Sequence, residues 1–158
     1  MVNEMKKPYI IAFLFFIIDF ISNQIIMNTI KLDESITVIK NFFYLTYTKN
    51  TGAAWSILKD ERIPLLILTV IVLFFINKYI NKEKLSKKEN IIYGIIIGGI
   101  IGNFFDRLVY GSVIDFLDFY IFGYNYPIFN FADCFIVIGM ILLIIMEFRK
   151  DKNERIKK

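Results

Sequence analysis

Four long apolar runs, separated by charged or aromatic segments, constrain this chain most: about residues 8–29, 63–80, 91–110 and 130–148. At 1.5 Å per helical residue, runs of this length match a hydrocarbon core of about 30 Å. Backbone polar groups in lipid must be satisfied internally, and a spanning strand needs only about 9–11 residues, so helices are the expected form. Hydrophobic residues make up 56% of the chain, above the roughly 45–50% of soluble domains. The first run follows a basic start, as a cleaved leader would, but no small-x-small site follows and the run continues past Asp19. A retained anchor is therefore expected. The sequence reads as a single integral membrane domain over residues 1–158, with loops at 31–62 and 111–129 on one side.

Charge sets the expected orientation. Thirteen basic residues flank the termini and the loop between the second and third runs, whereas five lie in the first loop and none between Val109 and Glu147. The positive-inside rule then places both termini in the cytoplasm and both longer loops outside. In the first loop, ITVIKNFFYLTYTKNTGAAWSIL mixes β-branched and aromatic residues with partial alternation, which predicts short strands. The fold expected is a membrane all-α bundle of four transmembrane helices with a small extracytoplasmic β-rich loop region. A net charge of +4 does not indicate a nucleic-acid partner, because the basic residues cluster beside apolar runs.

The chain has no His, and its one Cys, Cys134, lies inside an apolar run. Chemistry must then rest on carboxylates, amides, hydroxyls, Lys or Arg. The third run carries Gly94, Gly98 and Gly102 at four-residue intervals, a pattern that lets helices approach closely in lipid. Near its end lie Asn103, Asp106 and Arg107, costly at a membrane boundary unless paired or facing water. Asp115 follows this run, and Asp133 falls in the first turn of the fourth, after Pro127 and the potential cap Asn130. Antiparallel spans joined by about twenty residues can bring Asp115 and Asp133 together. Two carboxylates sharing a site do not readily both ionise, so one can keep a proton while the other acts as base. The same positions also suit helix-dipole capping, and Asp118 reaches the interface as readily as Asp115 does. Spacing leaves that choice open.

Several blocks in order resemble the lipoprotein signal peptidase (signal peptidase II) family: Asn50-Thr-Gly-Ala-Ala-Trp55, Gly98 to Arg107, Val113-Ile-Asp115-Phe116 and Phe129-Asn130-Phe-Ala132-Asp133. The resemblance implies a membrane aspartyl protease with Asp115 and Asp133 as its catalytic pair. It implies supporting or substrate-binding roles for Asn50, Gly52, Asn103, Asp106, Arg107 and Asn130, with some residual claim to catalysis for Asp106. It also implies cleavage of diacylglyceryl prolipoproteins just before the lipidated cysteine, at the outer face of the bacterial cytoplasmic membrane. Membrane lipid and that precursor are the partners implied, no metal or organic cofactor is, and one chain suffices because it carries both carboxylates. Where the family usually reads Asp-Gln-x-Ser-Lys, this chain has Asp19-Phe20-Ile21-Ser22-Asn23, which leaves the partner of Asp19 open. Trp55 stands in place of the usual Phe, in a loop expected to wall the aspartates. A small transporter lined by Asp19, Asp106 and Arg107 would need internal repeats or broken helices, and neither is evident in the sequence.

Overall fold

The computed structural model describes residues 7–52 and 58–156. Four helices and four strands follow one another along the chain: α1 (Lys7–Thr29), β1 (Ser35–Ile39), β2 (Phe43–Asn50), α2 (Arg62–Lys82), α3 (Lys87–Tyr110), β3 (Val113–Ile121), β4 (Tyr124–Asn125) and α4 (Phe131–Ile156). All four helices are long and apolar enough to cross a membrane, α4 over Phe131–Arg149. Two boundaries differ from the apolar runs. Helix α3 starts at Lys87 rather than 91 because Ser86 and Glu89 form a reciprocal capping box, each side chain bonding the other's backbone N–H. Helix α4 continues past 148 through a tail of Glu, Arg and Lys, residues that sustain a helix in water.

Helix α3 is the axis of the bundle, packed along α1 on one side and α4 on the other, with α2 touching it more lightly. Its glycines explain the closeness. A Cβ at Gly98 would stand 2.7 Å from the Ala12 carbonyl oxygen, and one at Gly99 would stand 2.5 Å from that of Ala132. The expected small-residue packing is thus present, and it serves both neighbouring helices rather than one.

The strands form one antiparallel sheet in the order β1-β2-β3-β4. Strands in the first loop match expectation, and the loop at 111–129, for which the sequence predicted no strand, holds the nine-residue strand β3. Pairing with β2 extends from Phe43↔Phe119 to Asn50↔Val113, so the two loops interlock. Ile114, Phe116, Leu117 and Tyr47 pack with Ile26 and Ile30 at the end of α1. This core seats the sheet on the bundle end where α1 and α3 finish and α4 begins.

Candidate active site

Helix α3 ends at Gly111, whose left-handed φ of 78° turns the chain directly into β3. Asp106, one turn from the helix end, accepts the Ile114 backbone N–H at 3.0 Å and so anchors the start of the strand. Asp115 is next on β3, opposite Thr48 of β2. It is buried, and its Oδ2 accepts the Asn50 amide at 3.0 Å. Asn50 also accepts the Gly52 N–H at 3.0 Å, while Arg107 donates to the Gly52 carbonyl at 2.8 Å and to the Asn103 carbonyl at 3.4 Å. A glycine backbone is therefore clamped between an amide from β2 and a guanidinium from α3.

Asp133 enters from the other side. Asn130 caps α4, its Oδ1 accepting the Asp133 N–H at 2.9 Å. Asp133 Oδ1 accepts the Asn103 amide at 2.7 Å, and its Oδ2 faces the Asn130 N–H at 3.4 Å. Asn130 in turn donates to Asn103 Oδ1 at 3.0 Å and to the Ile114 carbonyl at 3.2 Å. The two carboxylates consequently hang on one polar framework made by three asparagines, Gly52 and Arg107.

Asp115 and Asp133 line the same cavity of about 1020 Å³, with Asn50, Gly52, Asn103 and Arg107. Its rim adds Lys49 and Lys59, and its far wall is apolar, formed by Ile136, Val137 and Ile138 of α4. Val137 and Ile138 are themselves exposed on the bundle, so the cavity adjoins the surface that lipid would cover. Asp115 Oδ1 is buried with no hydrogen-bond partner among the described residues. Burial, and then the nearby Asp133 carboxylate, push the Asp115 carboxyl up to about 8, against the opposing pull of Asn50 and Arg107. Asp115 is thereby disposed to keep its proton at neutral pH while facing a second carboxyl across one cavity, a pairing suited to acid–base chemistry on a polar bond.

Six of the eight residues singled out from the sequence line this cavity. Asn130 lies behind it as a brace, and Asp106 is not among the described residues that line it: its hydrogen bonds among the described residues are structural, to Ile114 and Asn23. Asp118 points away, accepting Thr46 Oγ1 at 2.6 Å and lining a separate hollow. The partner of Asp19 is Asn23, joined by the Ala132 backbone N–H. Asn23 was marked in the sequence only as a departure, and its position one turn after Asp19 was the available signal. The lysines at the rim carried no signal. Trp55 lies outside the described residues, while Thr48 to Gly52 of the loop expected to wall the aspartates do line the cavity.

A family model described as signal peptidase (SPase) II matches residues 11–149, which take in nearly all of α1, the sheet and the remaining apolar helices. Two solved structures are similar, both described as bacterial membrane enzymes determined by the in meso method, at 2.3 and 1.9 Å resolution. The first is 36% identical with a TM-score of 0.85, covering 92% of this chain and 90% of that one. The second is 37% identical with a TM-score of 0.79, covering 88% of this chain and 90% of that one.

Proposed function

The chain belongs to the signal peptidase II family, a family of multi-pass membrane proteases that process lipoproteins, and on that premise we propose that Asp115 and Asp133 make it an aspartic endopeptidase. Its substrate is a diacylglyceryl prolipoprotein, cut just before the lipidated cysteine. The observation that carries this reading is the convergence of two carboxylates on one cavity, each held by an asparagine amide from a different wall. Asp133, whose oxygens accept N–H donors, serves as base, and Asp115 holds the shared proton.

A water placed between them gives a proton to Asp133 as its oxygen attacks the scissile carbonyl carbon. Asp115 passes its own proton to the carbonyl oxygen, which yields a neutral gem-diol. On collapse the carbon–nitrogen bond breaks, the amine leaves with the proton from Asp133, and a diol hydroxyl returns a proton to Asp115. Both carboxyls end as they began. Arg107 and Asn50 fix the Gly52 carbonyl and the Asp115 carboxyl, leaving the β2 end to align the extended peptide.

The setting fits such a substrate. Acyl chains stay in the bilayer, so the scissile bond lies near the membrane surface, and the apolar α4 wall of the cavity gives a lateral route from lipid. The excess of basic residues at the termini and the α2–α3 loop supports cytoplasmic ends, with the sheet and both aspartates on the outer face of the bacterial cytoplasmic membrane. One chain, as one integral domain, supplies the whole constellation. In purified enzyme, Asp115→Asn or Asp133→Asn should abolish the mass shift of a diacylglyceryl prolipoprotein while the protein still inserts. Normal turnover by either variant refutes the pair.

A further inference from the structure

Behind the open cavity lies a sealed cluster that the proposed reaction does not use. Asp19 on α1, Asn23 one turn later and Asp106 on α3 are each at most 1% exposed. The single nitrogen of the Asn23 amide donates to Asp19 Oδ2 at 3.3 Å and to Asp106 Oδ2 at 3.0 Å. Each carboxylate also takes one backbone N–H: Asp19 Oδ1 that of Ala132 at 2.9 Å, and Asp106 Oδ2 that of Ile114 at 3.0 Å. Ala132 immediately precedes Asp133, and Ile114 immediately precedes Asp115. Gly102 closes the cluster, since a Cβ there would stand 2.5 Å from Asp19 Oδ2 and 3.2 Å from the Ala132 Cβ.

We propose that Asn23 is a positioning residue: through Asp19 and Asp106 its amide ties together the backbone just before each reacting aspartate and so sets their separation. The inference rests on the reading of Asp115 and Asp133 as the reacting pair. The chemistry requires two donors on one nitrogen placed between the carboxylates. A primary amide has both N–H groups on one nitrogen, a hydroxyl has one, and a carboxylate has none and would add a third acidic group. Asn23 carries no charge and touches neither the cavity nor the reacting pair, so it acts only through geometry. Holding reacting groups to within about 0.5 Å is the task of such supporting contacts.

The test compares wild type, Asn23→Leu, Asn23→Lys and Thr29→Val, reading kcat, KM and hydrogen exchange at the Ile114 and Ala132 amides. Thr29 is the control because its hydroxyl bonds the Ile25 carbonyl within the same helix at 2.6 Å, away from the cluster. Asn23→Leu keeps the branched four-atom shape of the side chain without donors. It should lower kcat about 10- to 100-fold, the range for outer-shell partners, with KM within about twofold, and speed exchange at both amides. Asn23→Lys restores donors to both carboxylates and should recover most of kcat and both protections, which a loss of packing alone would not allow. Asn23→Leu with unchanged kcat overturns the proposal even if the amides open, and so does Asn23→Lys with both amides open and kcat still low. If Asn23→Leu does not fold, the Lys variant decides alone by the same criteria. A wild-type chain that leaves the precursor uncut overturns the proposed reaction instead, and the exchange data still decide whether Asn23 links the two backbone segments.

Discussion

Asp115 and Asp118 stand three residues apart on β3, both buried, each with one carboxylate oxygen hydrogen-bonded and the other without a partner among the described residues. Alternation along a strand sends them to opposite faces of the sheet. Asp115 meets the cavity of about 1020 Å³ that Asp133 also lines, whereas Asp118 meets a hollow of about 540 Å³ edged by Ser35, Thr37, Asn41 and two tyrosines. Burial and an unpaired oxygen therefore do not by themselves single out a candidate catalytic carboxylate. What separates the two is company: only Asp115 has a second carboxylate across its cavity, with which it can divide the roles of acid and base.

The sharpest way to break this contrast is to neutralise each side chain in turn. Asp115→Asn should cost about 10²–10⁴-fold or more in turnover of a diacylglyceryl prolipoprotein, the scale of acid–base catalysis, while Asp118→Asn stays within a few-fold of wild type. Equal losses in two folded variants would erase the distinction. Exchanging donors should give a smaller effect on the same axis. Asn50→Ala removes the partner of Asp115 and the acceptor for Gly52, so kcat should fall about tenfold or more. Thr46→Val, which removes the donor to Asp118, should leave kcat unchanged and lower stability by about 1–3 kcal/mol, the cost of stranding a buried acceptor. Cleavage rates and urea or thermal unfolding of both variants separate the two outcomes.

How far this contrast could be read from the sequence follows from what a sequence encodes locally. Hydropathy marked the four helices because a span must be apolar along its length, whatever it packs against. Strand β3 stayed hidden: VIDFLDFYI is buried through its first six residues, so it lacks the alternation of a half-exposed strand, and its partner β2 lies some seventy residues earlier. Without that pairing, no local signal says which of Asp115 and Asp118 turns toward the helices, and the family resemblance alone chose between them. Asp106 shows the opposite case. Its place in the motif gave it a share in the chemistry, yet its hydrogen bonds go to Ile114 and Asn23, partners that only the assembled fold brings near.

The mildest effect is expected in pH dependence, where the two sites are distinguished without loss of fold. With the Asp115 carboxyl pushed up to about 8 by burial and by Asp133, the native chain keeps a proton that an unfolded chain releases near pH 4. Between those values the folded state binds more protons than the unfolded one, so the contribution of Asp115 makes stability fall as pH rises from about 4 to about 8, and adds no further slope above. Asp115→Asn removes that slope, so the melting temperature of the variant relative to wild type should climb across this window and then level. Turnover by wild type should decline on the alkaline side with an apparent midpoint near 8, where the shared proton is lost. Asp118→Asn should leave that alkaline midpoint in place, because it lies outside the cavity where the proton is shared. An Asp115→Asn difference that stays flat from pH 4 to 8 would mean that Asp115 is already ionised at neutral pH, and the division of roles between the two aspartates would have to be reversed.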